Sequence, residues 1–135
     1  MTRLSIKKYR QTSVSAKAEE SPYQLVSEIF KQILGSIAAA KGAISQNNIE
    51  KRNELLNKAT VLIGVLEGSL DFEKGGEIST NLAALYEYSV HLIFQANLNN
   101  SQQELDEAIK ILLPIRSAWE QIPVDQQENV QFSKN

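Results

Sequence analysis

The chain has 135 residues, with no cysteine, one histidine, 14 basic against 16 acidic side chains, and an apolar fraction of 42%. These figures describe one globular domain, because a domain of ~150 residues already buries roughly 70% of the surface that its unfolded chain exposes. The absence of cysteine excludes disulfides, thiolate metal sites and cysteine nucleophiles. The start of the chain has no secretory apolar block, and the longest nearly apolar run, residues 61–66, is far shorter than a membrane span of ~20 residues. We therefore expect a cytoplasmic protein that does not insert into membranes.

Charge separates the N-terminus from the rest of the chain. Residues 1–18 contain five basic side chains and no acidic one, so their charge is +5 and the remainder of the chain carries −7. This segment has little sustained periodicity and only isolated apolar side chains. Residues 1–20 are therefore predicted to form an extended or mobile arm.

Two helices are predicted in the first half of the domain. Ser21, Pro22 and Gln24 form a capping-box start, and apolar residues then recur at steps of three and four up to Ile44. The second helix covers residues 50–70, and the glycines at 75 and 76 end it because they tolerate positive φ.

Two more helices and a tail complete the chain. The third predicted helix begins at Glu77 and continues to about Ala96, and a second capping box at residues 101–104 starts the fourth. Pro114 should bend the fourth helix, and Pro123 ends it. Residues 124–135 are mostly polar and are interpreted as a tail. Short linkers force sequential helices to be antiparallel, so residues 21–123 are predicted to form an all-α, antiparallel up-down four-helix bundle with an extended N-terminal arm.

The residues for catalysis are missing. A di-iron bundle needs two Glu-x-x-His pairs, whereas His91 is the single histidine and follows Glu87 at i+4. No serine lies in a nucleophile elbow, and the pair of glycines at 75–76 lacks the strand and Lys-Ser/Thr of a phosphate loop. The acidic bundle repels nucleic acid. We predict a binding protein that is not an enzyme and has no cofactor, metal or nucleic-acid partner, and whose apolar groove binds a partner helix.

Several blocks of sequence together resemble a known family. The densest is the Ser-Leu-Asp-Phe-Glu-Lys-Gly-Gly-Glu-Ile run at residues 69–78, followed by Asn-Leu at 81–82, Leu-Tyr-Glu-Tyr at 85–88 and Gln-Ala-Asn at 95–97. The Tyr-x4-Val spacing of Tyr9 and Val14, the Ser-Pro start of the first helix and the Ala-Trp pair at 118–119 agree with it. In these residues the chain resembles the flagellin export chaperones (FliS) of bacterial flagellar type III secretion.

The resemblance implies a helical bundle that binds the C-terminal segment of newly made flagellin in the cytoplasm. Binding would block premature polymerisation and keep the subunit competent for export. The resemblance also implies that the N-terminal arm lies over an apolar groove as a cap, although a permanent staple on the bundle is the alternative for its apolar residues. The predicted cap and flagellin-binding residues are Ile6, Tyr9 and Val14 in the arm and Leu62, Leu66, Ile78, Leu82, Leu85 and Tyr86 on the second and third helices.

A second function remains open at this stage. The chain could be an adaptor or regulatory module of flagellar assembly that exchanges flagellin for another flagellar or regulatory protein. Export-gate and regulatory flagellar proteins are therefore further candidate partners.

Overall fold

Four long helices and one short helix make up residues 21–123, the part of the chain that the computed structural model describes. Their bounds are Pro22–Ser45 for α1, Ile49–Gly68 for α2, Phe72–Gly75 for α3, Glu77–Asn99 for α4 and Gln103–Glu120 for α5. No strand occurs within this range, so the predicted all-α class is confirmed. The predicted arm (residues 1–20) and tail (residues 124–135) lie outside the described residues.

The long helices pack as a closed ring. Helix α1 contacts α2, α2 contacts α4, α4 contacts α5, and α5 contacts α1. Each consecutive pair of long helices is antiparallel because the connections between them are only a few residues long. This arrangement confirms the predicted up-down four-helix bundle.

The start of α1 follows the sequence signal closely. Ser21 Oγ accepts a hydrogen bond from the Gln24 amide, and Gln24 Oε1 accepts one from the Ser21 amide, both at 3.2 Å. The capping box therefore satisfies two amide donors at the helix end, and Pro22 occupies the first turn, where its missing N–H costs nothing.

The core is built from the apolar stripes that the sequence predicts. Leu25, Ile29, Ile33 and Ile37 recur along one face of α1 and are completely buried. They pack in one cluster with residues of the other long helices, including Ile63 of α2 and Leu112 of α5. Burial of this broad face, rather than intrinsic helix propensity, stabilises the helices.

The connection between α2 and α4 differs from the prediction because it contains the extra helix α3. Asp71 caps α3, since its Oδ1 accepts hydrogen bonds from the Glu73 and Lys74 amides at 3.0 Å. Gly76 then adopts φ +51°, which confirms the positive φ expected there. Gly75 is needed for space, because a Cβ at this position would collide with Ser79 Oγ.

The second predicted capping box, at residues 101–104, is wrong. Helix α5 begins at Gln103, and its N-cap, Gln102, makes no side-chain capping hydrogen bond. The reason lies in the end of α4, where Asn100 takes the left-handed conformation and the Ser101 amide donates to the Ala96 carbonyl at 3.1 Å. The Ser101 amide therefore closes the preceding helix, while Ser101 Oγ accepts a hydrogen bond from the Gln103 amide at 3.3 Å, so Ser101 contacts both helix ends without forming the predicted box with Glu104.

Pro114 lies inside α5, which continues past it to Glu120. Proline has no N–H to donate to the carbonyl four residues earlier, so the hydrogen-bond ladder has a gap at Lys110. The bend expected from this gap stays a prediction.

Candidate functional site

An apolar groove opens at one end of the bundle, where α1 and α4 begin and α2 and α5 end. It has a volume of about 420 Å³. We call it the end groove. Its lining residues are Val26, Phe30, Leu66, Ser69, Leu70, Asp71, Lys74, Gly75, Ser79, Leu82, Tyr86, Ile115 and Trp119.

Two aromatic residues join α1 to α5 on one side of the end groove. The rings of Tyr23 and Trp119 stack with centroids 5.6 Å apart and an angle of 11° between their planes. Trp119 Nε1 donates to the Tyr23 carbonyl at 3.2 Å, and the Tyr23 hydroxyl donates to the Glu120 carbonyl at 3.4 Å. These contacts tie the first turn of α1 to the last turn of α5 and fix the indole at the edge of the end groove.

The polar groups on the α2–α3 side are mostly used within the fold. Ser69 Oγ donates to the Val65 carbonyl at 2.7 Å, and Ser79 Oγ donates to the Asp71 carbonyl at 2.9 Å. The Asp71 carboxylate caps α3. With these groups paired internally, the end groove presents a mainly apolar lining to an occupant.

Tyr86 is the aromatic residue that α4 contributes to the end groove. Only 4% of the residue is exposed, and desolvation by burial raises the pKa of its phenol above the ordinary value. The hydroxyl therefore stays protonated and uncharged at physiological pH.

Catalytic and metal-binding arrangements do not emerge from the described residues. His91, which the sequence analysis already set aside, is exposed on α4 and stacks on Tyr88 with ring centroids 6.3 Å apart. Within residues 21–123, no group of three or more His, Asp or Glu side chains could hold a metal ion. None of the helices in this range is long and apolar enough to cross a membrane.

Comparison with known proteins adds an independent observation. The profile of the family described as Flagellar protein FliS matches residues 2–127. The chain belongs to the FliS family. The predicted resemblance is thus confirmed, and the match extends on both sides of the bundle.

Curated FliS relatives cover most of the chain. The flagellar secretion chaperone FliS of Salmonella typhimurium is 40% identical over 123 residues, which is 90% of this chain and 91% of the relative. FliSB of Pseudomonas aeruginosa, also named a flagellar secretion chaperone, is 35% identical over 87% of this chain and 94% of its own length. The FliS protein of Vibrio cholerae is 38% identical over 88% of each chain.

The structure distributes the sequence-predicted site residues of this FliS-family chain over three locations. Leu66, Leu82 and Tyr86 come together in the end groove. Leu62 is buried in the core and does not line the groove, whereas Ile78 and Leu85 are 70% and 39% exposed on α4 outside the lining. Ile6, Tyr9 and Val14 lie outside the described residues.

Four groove residues of the first and last long helices were not predicted from the sequence. Val26 and Phe30 come from α1, and Ile115 and Trp119 from α5. The sequence shows all four as members of apolar stripes. Which of the stripe residues line a groove depends on how far the helix ends separate from one another, and the stripe pattern does not contain that information. The single tryptophan of the chain, located next to the helix end, was the one signal available.

Proposed function

We propose that this protein is an export chaperone that binds the C-terminal segment of flagellin in the cytoplasm. In this function it prevents premature polymerisation and keeps flagellin export-competent for flagellar type III secretion. The observation that carries the proposal is an open apolar groove in a chain of the FliS family, whose curated relatives are named flagellar secretion chaperones. These names do not favour the regulatory adaptor as the main function.

The chemistry of the end groove suits an unfolded guest. Leu66, Leu82, Ile115 and Trp119 offer apolar surface to side chains that flagellin would bury only after assembly. Such a guest folds partly as it binds and pays the ordering cost at that moment. The exposed Ile78 and Leu85 continue the apolar surface along α4, so they are proposed as contacts for the guest beyond the groove.

The first prediction concerns the part of flagellin that is bound. Calorimetric titration with full-length flagellin should give saturable one-to-one binding, because the proposed site accepts one segment. Flagellin that lacks its C-terminal segment should show no measurable binding, and the isolated segment should compete with the full-length protein. Equal affinity for the complete and truncated flagellins would contradict the proposed function.

The N-terminal arm is proposed as a displaceable cap on the end groove. Ser21 caps α1 at the grooved end, and the twelve-residue separation between Tyr9 and Ser21 can span up to about 40 Å. Residues 21–123 contain eight basic and 12 acidic side chains, so their charge of −4 attracts the +5 segment of residues 1–18. Ile6, Tyr9 and Val14 are the apolar side chains that would enter the groove.

Removal of the arm provides the second prediction. Deletion of residues 1–18 should strengthen binding of the flagellin segment, because a cap that covers the groove nine-tenths of the time lowers the apparent affinity about tenfold. Far-UV circular dichroism should show unchanged helicity. Deletion of residues 124–135, which follow α5 in the chain and lack the basic cluster, is the matched control and should leave the affinity unchanged. Collapse of helicity on removal of the arm would identify it as a structural staple.

A further inference from the structure

Trp119 lines the end groove from the last turn of α5. Helix ends fray because their last carbonyls lack partners within the helix, so a residue on a last turn depends on tertiary contacts for a fixed position. Three contacts with Tyr23 hold this turn: the ring stack, the bond from Trp119 Nε1 to the Tyr23 carbonyl, and the bond from the Tyr23 hydroxyl to the Glu120 carbonyl. The orientation of the indole therefore depends on a residue of α1.

Tyr23 is next to the end groove but does not belong to its lining. It lines a separate, polar depression between α1 and α5, together with Arg116 and Glu120. Val26, three residues further along α1, does line the end groove. Tyr23 thus lies at the edge of the groove, where it can act on a guest through Trp119.

The contacts with Tyr23 also determine what the indole offers to a guest. Its Nε1–H is the one polar group of the side chain and already donates to the Tyr23 carbonyl at 3.2 Å, so the guest need not supply an acceptor. An indole that is fixed in advance loses little conformational entropy when a guest covers it. A side chain that must be ordered on binding lowers the affinity by roughly 3- to 10-fold.

We propose that Tyr23 is a positioning residue for guest binding: it holds the Trp119 indole in the orientation that the flagellin segment binds, without itself contacting the guest. This inference rests on the proposed function and adds a residue outside the groove that sets the affinity. It also connects the affinity to the first turn of α1, which the capping box of Ser21 and Gln24 stabilises.

Calorimetric titration with the flagellin C-terminal segment compares three variants. Tyr23→Leu removes the stacked ring and should bind roughly 3- to 10-fold more weakly, because the released indole must be ordered by the guest. Tyr23→Phe keeps the stack and loses the 3.4 Å hydrogen bond to the Glu120 carbonyl, so it should bind within twofold of the wild type. Phe94→Leu removes a ring at a position of α4 that is 61% exposed and outside the groove lining, and it should also bind within twofold. Binding of Tyr23→Leu within twofold of the wild type, or equal weakening by Tyr23→Phe, would overturn the inference.

Tryptophan fluorescence measures the position of the indole in the protein without guest. Trp119 is the single tryptophan of the chain, so quenching by acrylamide reports on it alone. Tyr23→Leu should be quenched more strongly than the wild type, and Tyr23→Phe to the same extent as the wild type. Circular dichroism must show unchanged helicity in both variants. Unchanged quenching in a folded Tyr23→Leu protein would mean that other contacts hold the indole, and it would overturn the inference.

A double-mutant cycle separates positioning by Tyr23 from direct contact with the guest. Trp119→Leu should itself weaken binding, and the addition of Tyr23→Leu should then change the affinity by no more than twofold, because the side chain to be positioned is gone. Additive losses would mean that Tyr23 acts on the guest by another route and would overturn the inference. Failure of the wild type to bind any flagellin would reject the proposed function itself, and that outcome is distinct from normal wild-type binding with an inert Tyr23→Leu.

Discussion

Replacement of Leu82 with aspartate is expected to abolish measurable binding of the flagellin segment. Leu82 is half-buried, lines the end groove and packs against the hydrophobic core. A guest that covers this position would have to bury a carboxylate without a partner, which costs several kcal/mol. Every 1.4 kcal/mol is a factor of ten, so we expect affinity to fall by at least about 100-fold in a calorimetric titration.

Leu98→Asp is the matched control for this substitution. Leu98 lies on the same helix, is 69% exposed and is outside the groove lining, near the opposite end of the bundle. The same new charge at this position should change the affinity by less than about threefold, since exposed substitutions outside special features have small effects. Circular dichroism must show both variants folded. A folded Leu82→Asp protein that binds within tenfold of the wild type would exclude the end groove as the main guest site.

The parts of the fold that the sequence predicts well depend on local signals. The capping box at Ser21 and the positive φ at Gly76 each involve residues within a few positions of one another, and both are present in the structure. The apolar stripe of α1 likewise determines which face of the helix is turned toward the core, because its buried residues must contact the other helices. Helix start, helix stop and bundle class therefore follow from the sequence.

The errors occur where two local signals compete. Ser101 has the sequence of an N-cap, but its amide is used to close α4 against the Ala96 carbonyl. The glycines at 75 and 76 predict only the end of a helix before Glu77, whereas the Asp71 carboxylate caps the additional four-residue helix α3. A helix this short has no periodicity to detect, and the choice between two uses of one residue depends on the geometry of both neighbouring helices.

The candidate site could be predicted only in part for a different reason. Leu62 and Leu66 belong to the same stripe of α2, yet Leu62 is in the core and Leu66 lines the end groove. A hydrophobic pattern distinguishes buried from exposed faces, but it does not show where helix ends separate to leave an opening. The position of Trp119 against Tyr23 requires contact between residues almost a hundred positions apart.

Arg52 is a buried cation that the sequence analysis did not predict. It lies on α2 at the end of the bundle opposite the groove and is only 8% exposed. Its guanidinium donates to Oδ1 of Asn97 and of Asn100 at 2.7 Å, and to Oδ1 of Asn53 at 3.2 Å. Asn100 also donates to Asn47 Oδ1 at 3.4 Å, which connects the turn between α1 and α2 to the end of α4.

Substitution of Arg52 with methionine is expected to lower the free energy of unfolding by about 2–4 kcal/mol. It keeps most of the apolar stem but removes three charge-assisted hydrogen bonds, and it leaves the carboxamide oxygens of Asn97 and Asn100 without their donor. Arg52→Lys should recover little of this loss, because a single ammonium cannot reproduce the fork of donors. Urea denaturation followed by circular dichroism measures the change.

Lys51→Met is the matched control for Arg52→Met. It removes a neighbouring cation that is exposed, so the comparison tests whether burial of the cation determines the loss of unfolding free energy. Lys51 precedes Arg52, has a side chain that is 56% exposed and pairs with Glu54 at 3.0 Å. Exposed ion pairs contribute at most about 1 kcal/mol, so its loss should change the unfolding free energy by less than that. An Arg52→Met variant as stable as Lys51→Met would mean that the Arg52 contacts only compensate the desolvation of the guanidinium. A destabilised variant that still binds the flagellin segment at low temperature would show that the Arg52 contacts stabilise the fold independently of the end groove.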